Sequence, residues 1–255
     1  MADATPRSDG GFLWNTSVRG PVRSRRLGRS LGLNLLPARS KLCDFDCPYC
    51  ECGFRTPRAP AARWPSPDEI AHSLRRALQN LAAPPDAITF SGNGEPTLHP
   101  RFPVVVDRVL AARDELAPRT PVAILSNGVA AIGSAATRAA LLRLDRRMMK
   151  LDLGPAERVN GSGYDAGALA DAYRAIAPVT LQAMVARGRD WDGSSDAALA
   201  AWLPAAGRAD PAAVHLYSLA RPPADGSVKS VARERLDEMA RAIREALPRA
   251  EVLVF

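Results

Sequence analysis

Four cysteines stand within ten residues, Cys43, Cys47, Cys50 and Cys52, and the chain has no others. Disulfides between such close neighbours would close only tiny loops and constrain almost nothing. Clustered thiols read instead as ligands for a metal or a cluster. A structural zinc site draws a second pair of ligands from a separated turn, and no downstream Cys pair supplies one. Three thiolates at spacings x3 and x2 fit an iron–sulfur cluster, which cysteine thiolates hold.

The elements that must position these thiols alternate in kind. Strand-length apolar runs lie at 31–36, 87–90, 122–125, 148–153, 179–185, 213–219 and 252–255. Between them the spacing predicts helices at 101–116, 134–144, 165–176, 195–205 and 229–247. A further helix starts at Ser66-Pro67-Asp68-Glu69, with a hydroxyl cap, Pro in the first turn and acids against the dipole. Its apolar face runs through Ile70, Leu74, Leu78 and Leu81. Six βα units with near-continuous apolar strands predict a parallel sheet wrapped by helices. Residues 1–18 are expected to form a polar, flexible tail, and 19–255 one core domain.

Composition narrows the classes. At 255 residues the chain can bury a sizeable core, and no apolar run approaches the ~18 residues of a membrane span. The polar start lacks the apolar stretch of a secretory signal, so the expected location is cytoplasmic. Net charge is +7, and only Lys41, Lys150 and Lys229 are lysine. Such a basic surface permits nucleic-acid, nucleotide or acidic-substrate binding. It also matches the Ala- and Arg-heavy usage of a GC-rich genome.

The polar motifs follow the strands. The cysteine loop follows the first and Ser91-Gly92-Asn93-Gly94-Glu95 the second; Ser126-Asn127-Gly128 follows the third. Asp152-Leu153-Gly154 ends the fourth, and Ala220-Arg221-Pro222-Pro223 follows the sixth. In a parallel βα barrel these ends share one face, where active sites are built. Lys150 and Asp152 alternate with apolar neighbours and so share one face of their strand. A charged pair is costly in a helix layer, which makes them lumen-facing candidates for catalysis; a buried structural ion pair is the alternative. Gln182 interrupts an apolar strand, and His215 and Tyr217 share a face of the next, so Gln182 and Tyr217 are candidates to reach a cofactor or substrate.

Cys43-x3-Cys47-x2-Cys50, with Tyr49 before the third Cys and an apolar strand upstream, resembles the signature of the radical S-adenosylmethionine (SAM) superfamily. That resemblance implies a partial (β/α)6 TIM-type barrel with parallel strands and outer helices. Residues 90–100, with Gly20-Pro21 and 24–28, resemble a group of Fe–S oxidoreductases related to wyosine-synthesising tRNA-modifying enzymes. The implied cofactors are a [4Fe–4S] cluster held by Cys43, Cys47 and Cys50 and SAM chelated to its open iron. Reductive cleavage of SAM would give a 5′-deoxyadenosyl radical that abstracts hydrogen from substrate. The resemblance places Gly92, Asn93, Gly94 and Glu95 at the SAM ammonium, with Asn93 in place of a glycine and contributing through its backbone. It places Ser126 and Asn127 at the ribose and carboxylate, and Tyr49 against the adenine.

Cys52 is left as a small residue beside the cluster. The resemblance also favours Arg25, Arg26 and Arg221 as contacts for substrate phosphate or carboxylate, which arginine binds bidentately. The expected partners are an external flavodoxin- or ferredoxin-like electron donor and a substrate that is RNA, a peptide or protein, or a small metabolite. With no cysteine before Cys43, no second cluster is expected. The alternatives are an activase that installs a glycyl radical on a partner enzyme, and a non-catalytic Fe–S or nucleic-acid-binding protein. Replacing Cys43, Cys47 and Cys50 together by Ala should abolish iron binding, whereas Cys52→Ala should keep about four irons per chain. Iron loss in Cys52→Ala would contradict this ligand set.

Overall fold

Short apolar strands separated by amphipathic helices leave the backbone one ready way to pair its donors, a parallel ladder with helical crossovers. The computed structural model describes residues 4–6, 12–55, 63–161 and 164–255. Strands β1 (Ala4–Pro6) and β2 (Phe12–Trp14) form a small antiparallel pair. Strand β3 (Val18–Ser24) turns back antiparallel onto β4 (Gly28–Asn34). The βα units follow as α1 (Pro67–Gln79), β5 (Ala87–Ser91), α2 (Phe102–Leu116), β6 (Val122–Ser126), α3 (Val129–Gly133) and α4 (Ala135–Leu142). They continue with β7 (Arg146–Lys150), α5 (Ala156–Val159), α6 (Ala166–Arg174), β8 (Thr180–Met184), α7 (Asp196–Ala209), β9 (Ala213–Tyr217), α8 (Arg233–Ala246) and β10 (Glu251–Val254). The sheet runs β10-β9-β8-β7-β6-β5-β4-β3, parallel throughout except for β3 against β4.

Alternation along the strands sorts side chains into two layers. Ile88, Phe90, Val122, Ile124, Leu181 and Leu216 join the main core beneath the helices. Ala87, Ala123 and Met148 face the other way and enclose Leu27, from the turn between β3 and β4. The neighbouring Arg26 reaches Gln182 on β8 and Tyr217 on β9. Those strands lie four and five places from β4 in the sheet, so the sheet must curl for the contact to exist. The result is an α/β partial barrel whose floor is closed by the β3–β4 turn.

The predicted start of α1 is realised as a capping box. The Ser66 hydroxyl accepts from Glu69 N at 3.2 Å, and Ser66 N donates to Glu69 Oε2 at 2.7 Å. Ile70, Leu74 and Leu78 form the buried face.

Several boundaries differ from the sequence expectation. Residues 12–18 are not a free tail: Leu13 is 4% exposed, and the Trp14 ring lies over Gly32. The rest of the expected tail, 1–3 and 7–11, lies outside the described residues, as does 56–62 of the Pro- and Arg-rich loop. Five arginines within 19–29 hide β3 in the sequence, and the strand keeps Pro21 because an edge strand can forgo a ladder donor. The helix expected at 229–247 begins at Arg233, because Lys229 is bridged to Arg187 through bonds of 2.7 and 3.0 Å. The fourth strand starts earlier and ends at Lys150, although Leu151 N and Leu153 N still bond to β8 carbonyls.

One glycine fixes the cysteine loop to the sheet. Gly94 has φ +133°, and a Cβ there would lie 1.8 Å from the Leu42 carbonyl oxygen. Gly94→Ala should therefore cost about 3 kcal/mol. Thermal unfolding should show this as a Tm lower by about 6–12 °C; an unchanged Tm would contradict the close approach.

Candidate active site at the mouth of the barrel

The cysteine loop is long, and backbone bonds to four other segments hold it over the strand ends. Leu42 N donates to Asn93 O at 3.0 Å, and Leu42 O accepts from Glu95 N at 2.9 Å. Phe12 N donates to Glu51 O at 3.0 Å, tying in β2. Asp46 N donates to Asn160 O at 2.7 Å, and Asp225 N to Pro48 O at 2.8 Å, reaching the loops after β7 and β9. The strand-end motifs thus meet the thiols.

All four cysteines line one cavity of about 250 Å³. A larger hollow, about 450 Å³, lies among Trp191, Trp202 and several alanines, but no thiol lines it, so chemistry rather than size singles out the site. Cys43 Sγ receives Phe45 N at 3.4 Å and Asn127 Nδ2 at 3.8 Å. The Cys52 thiol donates to Gly92 O at 3.3 Å. Burial pushes the Cys43 thiol well up and Cys47 up to about 11. Cys50 is brought down to about 6 by its hydrogen-bonding contact with Cys52, against its burial and with help from Lys41.

Among the described residues no three His, Cys, Asp or Glu side chains converge tightly enough to hold a single metal ion. A cubane cluster binds one thiolate per iron, so it needs thiolates spread around a cavity. Three soft donors around a shared cavity, with amide donors to sulfur, fit such a group.

Glu95 is the most heavily bonded side chain of the site. Its Oε1 accepts from Thr97 N at 3.0 Å, Thr97 Oγ1 at 2.6 Å and Ser126 Oγ at 2.8 Å. Oε2 accepts from Asn127 N at 2.7 Å. Burial raises its pKa, and these four donors oppose the rise. Four donors suit an ionised carboxylate and leave one Oε2 lone pair for a ligand.

Lys150 and Asp152 form the expected pair, with Nζ 3.0 Å from Asp152 Oδ2. The two have different surroundings. Lys150 lines the thiol cavity, its Nζ 4.6 Å above the Tyr49 ring. The Asp152 side chain is only 1% exposed and lies outside the thiol-cavity lining, accepting from the Tyr49 hydroxyl and, at 3.3 Å, from Met184 N. Burial disfavours the Lys150 ammonium, but Asp152, Cys47 and Tyr217 together outweigh it and hold the pKa high.

The other candidates sort by placement. Tyr49, Gly92, Gly94, Glu95, Ser126 and Asn127 line the cavity, as do Gln182 and Tyr217 nearer the floor. Asn93 does not: its side chain is fully buried and spent on backbone, accepting from Trp14 N at 2.7 Å and donating to Trp14 O and Pro37 O at 3.0 Å. Arg25 is exposed on the β3–β4 turn, at the opposite end of the strands from the thiols. Arg26, from the same turn, enters the lumen. Arg221 is exposed at the rim and pairs with Glu51 of the cysteine loop.

Two residues escaped the sequence reading. Lys41 is 2% exposed, donates to Gly53 O and lies 3.6 Å from Asp46 Oδ1. Burial works against its charge, and the neighbouring thiolates and Asp46 more than restore it. Its signal was the rarity of lysine and a position two residues before Cys43. Tyr173, fully buried on α6, points its hydroxyl at Asn127 O (2.8 Å) and Lys150 O (2.6 Å), joining two strand ends. Nothing local marks it.

The buried pair gives a direct test. Asp152→Asn leaves a buried ammonium without its counter-charge and should cost about 3 kcal/mol in urea unfolding. Adding Lys150→Met should recover a large part of that loss in a double-mutant cycle. A single variant as stable as the parent would contradict the pairing.

Comparison with known proteins agrees with this geometry. The radical SAM superfamily model matches residues 39–146, which span the thiols, Glu95 and Asn127. The UPF0026 protein of Helicobacter pylori is 41% identical over 85 residues, covering 33% of this chain and 27% of that protein. The match thus spans about a quarter of the length of this curated relative. A radical SAM methyltransferase from Sphaerobacter thermophilus superposes with TM-score 0.63 at 16% identity, over 98% of this chain and 72% of its own. Streptococcus suis SuiB, in a structure bound to S-adenosylmethionine, gives TM-score 0.59 at 17% identity, over 88% of this chain and 50% of its own. The radical SAM family uses a [4Fe–4S] cluster together with SAM. Residues 39–146 thus match the radical SAM superfamily model, and the chain has the partial-barrel fold of the solved radical SAM structures.

Proposed function

We propose that this protein is a radical SAM enzyme in which Cys43, Cys47 and Cys50 hold the cluster and the adjoining strand ends seat SAM. The supporting observation is that these three thiols share one cavity with Glu95, Ser126 and Asn127. When bound, the cluster and SAM supply a reductively generated 5′-deoxyadenosyl radical that takes a hydrogen atom from substrate.

The chain's own residues supply binding, orientation and exclusion of water. Glu95 offers its remaining Oε2 lone pair to an ammonium N–H, with its other positions held by Thr97, Ser126 and Asn127. Gly92 and Gly94, both at positive φ, bring bare backbone to the cavity wall. The Asn127 amide, donating to Cys43 Sγ, stabilises charge on that sulfur. Tyr49 forms a wall, its hydroxyl fixed by Asp152. Asp152 positions Lys150, whose ammonium points into the cavity. Leu27 closes the barrel floor against solvent. The electron comes from an external flavodoxin- or ferredoxin-like donor, and cysteine-loop surface at the rim is where such a donor can approach.

Anaerobic reconstitution should give about four irons per chain. Reduction in the presence of SAM should then release 5′-deoxyadenosine. An intact cluster that leaves SAM uncleaved would rule out the enzymatic reading and favour a structural or sensing cluster.

A further inference from the structure

Among the described residues three cations line the cavity, and two of them have a carboxylate beside them. Lys150 has Asp152 at 3.0 Å, and Lys41 has Asp46 at 3.6 Å. Arg26 has none among the described residues. Its Nη1 donates to Gln182 Oε1 at 2.5 Å, and its guanidinium lies 4.4 Å from the centre of the Tyr217 ring. Gln182 in turn meets His215 Nδ1 at 3.1 Å. An amide and an aromatic ring orient the guanidinium without neutralising it.

The placement is specific as well as unusual. Arg26 leaves the backbone in the turn at the N-terminal ends of the strands and points inward, next to the Leu27 plug. The thiols come from the loop at the C-terminal end of β4, so the two lie at opposite ends of one cavity. Between them the cavity wall is formed by Ser91, Leu125, Met148 and Gln182. Half-buried and without a carboxylate beside it, the guanidinium carries a partial desolvation cost. A ligand anion removes that cost, and a guanidinium with free N–H donors binds planar or tetrahedral oxyanions in preference to neutral groups.

We propose that Arg26, oriented by Gln182 and Tyr217, is a specificity-determining residue that binds an anionic oxygen group, carboxylate or phosphate, of a small substrate at the floor of the barrel. This rests on the radical SAM reading only in taking the thiol end as the reacting end. Anchoring the anion at the floor directs the rest of the substrate up the lumen towards the thiol-bound end, so the hydrogen to be removed lies part-way along the molecule from the charged group. Neutral substrates of the same shape are disfavoured because they leave the guanidinium unpaired.

The test compares two arginines of the same turn in the reconstituted full-length protein. Phenylglyoxal modifies accessible arginines, and the rate at each is read by peptide mass spectrometry. Acetate and inorganic phosphate are titrated separately, at ionic strength held constant with sodium chloride. Modification of Arg26 should slow at least fivefold and saturably with one or both anions, while exposed Arg25 should react at an unchanged rate. Preference for acetate or phosphate identifies the substrate's group. Equal behaviour of Arg26 and Arg25, or no slowing at either, would overturn the proposal. Saturable protection by SAM alone, with none by acetate or phosphate, would also overturn it, because Arg26 would then serve the SAM carboxylate. Protection persisting in protein that fails to cleave SAM would instead count against the radical SAM reading and leave the anion site standing.

Discussion

Burying a carboxylate is expensive, and the site depends on how this chain meets that cost at Glu95. Left unpaired, the group would cost several kcal/mol to withdraw from water. Four donors offset the cost, and they come from the segments that must be held together. Thr97 belongs to the short turn after β5, while Ser126 and Asn127 end β6. Through its own N–H, Glu95 also holds Leu42 and hence the start of the cysteine loop. Asn127 carries the connection further, from the carboxylate to Cys43 Sγ. One buried charge thereby sets the spacing between thiols and strand ends.

Much of the architecture was legible in the sequence because a parallel sheet has a strong signature. Both of its faces are covered, so its strands are short and uninterruptedly apolar, and the helices between them show one apolar stripe each. What could not be read were features that depend on distant partners. Residues 12–14 look like part of a polar tail because their burial comes from Gly32 and Asn93, far along the chain. Asn93 sits in a loop motif that suggests backbone exposure to ligand, yet its side chain is fully committed to Trp14 and Pro37. Arg25 and Arg26 are adjacent in sequence, and only the turn geometry sends one to solvent and the other into the lumen.

The basic charge of the chain acquires a structure as well. Most of the exposed arginines with an acidic neighbour form surface ion pairs, such as Arg143 with Asp107, Arg158 with Asp190 and Arg233 with Asp237. Such pairs contribute little to stability and are screened by salt, so they describe a solvated surface more than a binding face. Two of the cations lining the cavity are different, because each is held against a specific counter-charge. Lys41 answers to Asp46 and the thiolates, and Lys150 to Asp152. The distribution of charge between surface and lumen is therefore more informative than the net value of +7.

The central claim is that the Glu95 carboxylate clamps the cysteine loop to the ends of β5 and β6. Amide hydrogen exchange of Glu95→Gln, followed by mass spectrometry on full-length protein, tests it most directly. Losing the charge and replacing one acceptor oxygen by an NH2 donor should speed exchange in peptides covering 40–53 and 126–129 by about tenfold or more, as expected for loss of charge-assisted hydrogen bonds. Exchange in α7 and β8 should stay at the parent rate. Parent-like exchange across 40–53 and 126–129 would contradict the account, since the loop would then be held without the carboxylate.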